Sequence, residues 1–221
     1  MKQLIKKEEN REETGATAEK ILLAAREVFT EFGYNGTRMD EIARRAAVNK
    51  ATLYYQIGDK ATLYAHVIHQ VIGGVYQDIA RAVSLAPTPE EKLRAYITCI
   101  AQAVDKNPEI PPIMMREFAS GGTNLPRLVV EDFAAVIKIL MGIMEEGTKK
   151  GIFIKTVPFL LHMMILGSIL FYKVSVPIRE KQNWIPAEVK AQDEKIKGNI
   201  AREVARLILR AIKKSNTEDA S

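Results

Sequence analysis

Lys50, Ala51, Thr52, Tyr55 and Gln56 fall together between positions 50 and 56, in an order that a nucleic acid can use. On a helix turning about 100° per residue, Ala51, Thr52, Tyr55 and Gln56 share one side, while Leu53 and Ile57 share the other. The apolar side can be anchored in a core. The opposite side is small, hydroxylated and amide-bearing, with Lys50 at its flank. Small residues let a helix backbone approach base edges, a hydroxyl and an amide can read donors and acceptors there, and a lysine meets phosphate. Catalytic chemistry has no comparable foothold. The chain has three histidines, one cysteine, no paired carboxylates in a recognisable setting and no phosphate-cradling glycine loop, so no enzyme is expected. His66 and His69 are spaced i, i+3, yet no carboxylate or thiol pattern joins them, so neither a metal site nor a cofactor is expected.

Those residues need a second helix to brace theirs. Met39, Ile42, Ala43 and Ala46 recur at helical spacing and predict a helix over 38–46. Thr37 suits its N-cap, with Asp40 reaching back in a variant of the capping box. Ala47-Val48-Asn49 makes the turn, and Asn49 caps the helix over 50–56. Arg44, Arg45 and Lys50 are the only charges between Ile42 and Gln56, which makes the pair of helices locally basic. Upstream, Ile21, Leu22, Ala25, Val28, Phe29 and Phe32 trace the stripe of a bracing helix over 17–32, ended by Gly33.

This stretch resembles the DNA-binding domain of the tetracycline-repressor (TetR) family. The likeness rests on Phe29, Gly33-Tyr34, Thr37, Ile42-Ala43, Ala46, Val48, Lys50, Thr52-Leu53-Tyr54-Tyr55, Lys60 and Leu63-Tyr64, and covers residues 17 to about 66. Two positions depart from it. Ala47 stands where the family usually places a turn glycine, which suggests a turn without positive φ, and Ile57 stands where phenylalanine is usual. With the face argument above, the resemblance implies phosphate anchoring by Thr37, Lys50, Tyr54, Tyr55 and Lys60. It places Arg38, Ala51, Thr52 and Gln56 near bases. It further implies a homodimer on double-stranded operator DNA, built through the last two long helices, and a small-molecule effector bound in the body. A ligand-independent or architectural DNA binder is the alternative, although it has no need of a large methionine-rich body.

The remainder of the chain reads as an all-α body, since strand-period alternation is absent. A net charge of +5 suits a polyanionic partner without requiring one. The lone Cys99 and an N-terminal stretch rich in Glu suit a reducing cytoplasm and no secretory signal. Residues 1–15 balance four basic against four acidic side chains and read as a solvated tail. The head is then 16–62, the regulatory and dimerisation body 63–214, and the C-terminal tail 215–221. Helices are predicted over 60–82, 90–106, 113–119, 127–150, 158–173 and 187–214, about nine in all with the three of the head. Gly73-Gly74, inside 60–82, marks either a bend or a close helix contact.

Candidate effector contacts are the soft and aromatic residues Tyr96, Cys99, Met114, Met115, Phe118, Met141, Met144, Phe159, Met163 and Phe171, because methionine-rich linings adapt to apolar ligands. His162, alone on an apolar helix, reads as a satisfied core histidine. Residues 156–172 carry no charged side chain. The run is at the lower limit for a membrane span and holds Pro158, Gly167 and Ser168, so a subunit-packing helix is expected rather than a membrane segment. The expected dimer contacts are Ile165, Ile169, Ile200, Val204, Leu207, Ile208 and Ala211.

Overall fold

The computed structural model describes residues 2–181 and 184–214, with side chains throughout except at residues 2–14 and 71. Twelve helices account for nearly all of it: α1 Lys2–Gly36, α2 Met39–Arg45, α3 Lys50–Ile57, α4 Lys60–Ile72, α5 Val75–Leu85, α6 Pro89–Lys106, α7 Ile110–Ala119, α8 Arg127–Lys149, α9 Pro158–Val174, α10 Val176–Lys181, α11 Ala187–Ile196 and α12 Ile200–Ile212. Among the described residues the β pairing is one isolated bridge, between Phe153 and Lys213. The all-α expectation holds.

Three differences raise the count above nine. The predicted 60–82 helix breaks at Gly73-Gly74 into α4 and α5. A Cβ on Gly74 would meet no atom within 4 Å, so close packing does not explain that glycine. The predicted 187–214 helix breaks at Gly198, whose φ of +71° no helix accommodates. The stretch 174–186, which falls between two predicted helices, contains α10. At the N-terminus the helical backbone runs on to Lys2, where a tail was expected. The expected C-terminal tail, 215–221, lies outside the described residues.

Caps explain several boundaries. Asn49 Oδ1 accepts the Thr52 amide at 2.7 Å and starts α3. Asp59 Oδ1 accepts the Thr62 amide at 2.8 Å and starts α4. Thr88 Oγ1 accepts the Glu91 amide at 3.2 Å ahead of Pro89, the first residue of α6.

The chain divides into two compact units, Met1–Ile72 with Pro112–Val129, and Gly73–Pro111 with Val130–Ser221. In the first, α1 packs against α2, α3 and α4. Ile21, Val28, Phe29, Ile42, Leu53, Leu63 and Ile68 are fully buried there. This unit is larger than the 16–62 stretch because most of α7 and the loop after it belong to it. In the second, α6 is the central helix, in contact with α5, α9 and α12. Leu93, Tyr96 and Ile97 of α6 have no exposed surface. Gly147 on α8 is required by a close approach: a Cβ there would stand 2.1 Å from Cδ2 of the buried Phe153 ring.

Candidate nucleic-acid interface and effector body

Leu53 and Ile57 lock α3 into the first unit, buried to 0% and 9% exposure. The opposite side is open. Ala51, Tyr54 and Tyr55 are exposed, Thr52 and Gln56 half-buried. Tyr55 is 87% exposed and Tyr54 44%. Lys50 lies at the edge of this face, and Arg38, exposed, precedes α2. Ala51, Thr52, Tyr55 and Gln56 thus share one accessible side of α3, while Arg38 precedes α2 and Lys60, half-buried, begins α4.

Thr37 is 3% exposed, and its hydroxyl donates to the Gly33 carbonyl at 2.6 Å. The side chain is spent on closing α1, so neither the expected phosphate contact nor the expected cap is open to it. Arg38 occupies the N-cap position of α2 without a side-chain cap bond, and no capping box forms. Asp40 faces Lys50 instead, 2.6 Å from its ammonium.

The turn departs from expectation as well. Ala47 has φ +54°, in the left-handed region. The Val48 amide reaches back to the Ala43 carbonyl at 3.0 Å, the six-to-one bond that ends a helix through a left-handed residue. That closure demands positive φ whatever residue occupies the site, and alanine accepts a strain of about 1 kcal/mol to supply it.

Local basicity is smaller than the composition of α2 suggests. Glu41 accepts two hydrogen bonds from Arg44, at 2.7 and 2.9 Å, and one from Arg45 at 2.7 Å. Arg45 also pairs with Glu31 at 2.7 Å. Hydrogen bonds from Arg44 and then Arg45 hold the Glu41 carboxyl down at about 2. The two arginines brace α2 rather than project a field. Lys60 Nζ sits 4.6 Å from the centre of the Tyr34 ring, and burial pulls its pKa down.

The ten expected effector residues are divided between the two units. Met114, Met115 and Phe118 belong to the first unit and the other seven to the second. Within the second, Met141 and Met144 line a cleft of about 450 Å³ between the end of α8 and the start of α9, with Thr148, Thr156 and Pro158, and with Glu145, Lys149 and Lys155 at its polar rim. Its size suits a small ligand. Tyr96 is fully buried, and its hydroxyl shares a 2.7 Å hydrogen bond with Nδ1 of His162, itself 4% exposed. His162 is the satisfied core histidine expected. Burial raises the Tyr96 pKa and lowers that of His162. Cys99 turns its sulfur toward the Asp78 carbonyl at 3.8 Å, and burial raises its pKa. Phe159, Met163 and Phe171 point outward.

Residues 21–67 match the profile described as bacterial regulatory proteins, tetR family. The chain is 29% identical over 143 residues to the HTH-type transcriptional repressor NicS of Pseudomonas putida, covering 62% of this chain and 66% of that protein. It is 27% identical over 157 residues to the HTH-type transcriptional regulator RutR of Escherichia coli K12, covering 71% and 74%. The crystal structure of HlyIIR, a hemolysin II transcriptional regulator, superposes with a TM-score of 0.63 at 25% identity, covering 91% of this chain and 99% of that one. Residues 21–67 are a TetR-family DNA-binding domain. The protein is a DNA-binding transcriptional regulator, and the relatives it matches are named as regulators, not enzymes.

Outside the TetR-type domain the subunit-packing expectation needs a correction. Ile165 and Ile169 of α9 are fully buried, and Ile200, Val204 and Ile208 of α12 are buried to 9%, 7% and 5% exposure. These residues make the chain's own core, where α6, α9 and α12 meet, and cannot face a second copy. Among the expected contacts only Leu207, 58% exposed, and Ala211 look outward. The open apolar stripe is instead Leu160, Met163, Met164, Gly167 and Phe171, at helical spacing on the far side of α9. Pro158–Lys181 is apolar and long enough to cross a membrane by length and composition. Packing of one of its faces against α6 and α12 accounts for that side without lipid. Sequence periodicity could not choose between the sides, because α9 is apolar all round.

Proposed function

We propose that this protein is a transcriptional repressor that binds a near-palindromic operator as a homodimer, one α3 in each of two successive major grooves, and that a small, hydrophobic effector bound in the body releases it. In this reading 16–62 is the DNA-binding part and 63–214 the regulatory and dimerisation part, working in the cytoplasm. Support for DNA reading comes first from one observation: Tyr55, 87% exposed, stands on a helix face with Ala51, Thr52 and Gln56 while Leu53 and Ile57 bind that helix to the core. A helix so held is rigid enough to read base edges. Repression follows the printed role of NicS. Support for pairing with a second copy comes from the uncovered stripe of α9 with Leu207 of α12. Support for an effector site comes from the cleft over Met141 and Met144, whose methionines and charged rim suit an apolar body with a polar end. Phosphate anchoring falls to Lys50, Tyr54, Tyr55 and Lys60, and base approach to Arg38, Ala51, Thr52 and Gln56.

Footprinting on the DNA upstream of the gene, against random duplex of equal length, tests this reading. A protected pair of half-sites about one helical turn apart, or a multiple of that, is expected. Equal protection of both duplexes leaves the architectural alternative.

A further inference from the structure

Glu117 is a buried carboxylate with one hydrogen-bond partner among the described residues. It is 2% exposed, its Oε1 accepts the Tyr64 hydroxyl at 2.7 Å, and no described residue donates to Oε2. A carboxylate so placed costs free energy that an apolar pair of the same shape does not, so packing alone does not account for it. Tyr64 is itself 2% exposed; burial, then the bond to Glu117, raises its pKa and keeps it a donor.

From Tyr64 the contacts run outward. Its ring lies 4.7 Å from Phe29, edge to face, and 5.0 Å from Tyr34. Tyr34 in turn carries the Lys60 ammonium. Tyr34 and the first turns of α4 also border an open cleft of about 440 Å³ toward residues 123–126, so packing on that side does not fix them. The neighbouring Arg116 donates to the carbonyl oxygens of Thr30 and, at 2.8 Å, Glu31. A Cβ on Gly33, where φ is +68°, would stand 3.0 Å from Arg116 Cδ. Two consecutive residues of α7 thus hold two helices of the head, α1 through Arg116 and α4 through Glu117. The chain passes from one compact unit to the other within α7, between Pro111 and Pro112. This is a covalent route into the head separate from Gly73-Gly74.

We propose that Glu117 is a positioning residue for DNA binding: by fixing Tyr64 it sets where Tyr34 carries Lys60, and so controls a phosphate contact. The inference rests on the reading of Lys60 as a phosphate anchor.

The test uses the full chain, a duplex selected from a random pool by the wild-type protein, and a nonspecific duplex. Glu117→Leu and Tyr64→Phe are expected to stay folded yet bind about tenfold more weakly. Their salt slopes should fall by as much as Lys60→Ala lowers it, about 1 per head. Glu117→Gln, which keeps an acceptor for the hydroxyl, should bind as wild type. Glu117→Leu added to Lys60→Ala should change little further, since both act on one contact. Tyr64→Phe, isosteric, carries the test should Glu117→Leu unfold. A folded Tyr64→Phe protein with wild-type affinity and slope overturns the proposal, as does full additivity of Glu117→Leu with Lys60→Ala. An unchanged slope in Lys60→Ala shows instead that the anchor reading failed, and the inference with it.

Discussion

The carboxylate of Asp40 on α2 holds the ammonium of Lys50 on α3 at 2.6 Å, with both side chains more than half exposed. The hydrogen bond to Asp40 raises the Lys50 pKa. An exposed pair of this kind is worth little to stability, but it competes with a phosphate for the same lysine. Asp40→Asn should therefore tighten binding to all duplexes alike, leaving sequence preference and unfolding temperature almost unchanged. Lys50→Ala should weaken binding to all sequences and lower the salt slope by about 1 per head, doubled in a dimer. Titrations across a salt series check both; a slope untouched by Lys50→Ala removes this lysine from the phosphate contacts.

Ala47 supplies the positive φ that the six-to-one closure requires. Ala47→Gly should relieve about 1 kcal/mol of strain, partly offset by the greater freedom of glycine in the unfolded chain. A rise in denaturant midpoint with no change in slope is the expected record. A fall would mean that alanine is not strained there.

The outward stripe of α9 separates assembly from folding. Phe171→Glu or Leu207→Glu places a charge on exposed apolar surface. Either should yield folded monomers by sedimentation, with tight operator binding lost. Ile208→Asp places its charge in the chain's own core and should unfold the protein, at a cost of several kcal/mol. Folded, dimeric Phe171→Glu and Leu207→Glu proteins would show that this stripe is not the contact.

Gly73-Gly74 interrupts the helical run between α4 and α5 at the boundary of the two compact units. Replacing both with alanine favours a continuous helix by about 1–2 kcal/mol. If the break lets body and head respond to each other, the double variant should lose part of the effector-induced change in operator affinity, typically 5–150-fold in such systems. Identical coupling in wild type and variant would exclude the glycine pair from the mechanism and leave α7 as the route to test.

His162 gives the body a pH signature. Burial lowers its folded pKa below the ordinary value of about 6.5, so the unfolded state binds the proton first. Its contribution to stability is then complete above pH 6.5 and is lost as pH falls from there through the folded value. His162→Gln should flatten that part of the profile, read from denaturant midpoints between pH 7.5 and 5. Parallel profiles would assign the acid sensitivity elsewhere.

The helix-turn-helix was legible because its determinants are short-range. Asn49 and Asp59 cap the helices they precede, Leu53 and Ile57 are one turn apart, and a 3.6-residue period sorts Tyr55 from Leu53 without knowledge of any other element. Contacts between distant positions lay beyond that reading. Whether Thr37 meets phosphate or closes α1 depended on the Gly33 carbonyl, and whether Arg45 is available depended on Glu31 as much as on Glu41. Glu117 gave no signal in the sequence, being one acid on a short helix; only the approach of Tyr64 to α7 made it part of the head. The outward side of α9 was undetermined for the converse reason. Both its sides are apolar, so hydrophobic periodicity carries no direction there, and the choice fell to α6 and α12, which bury Ile165 and Ile169 and leave Met164 and Phe171 to the outside.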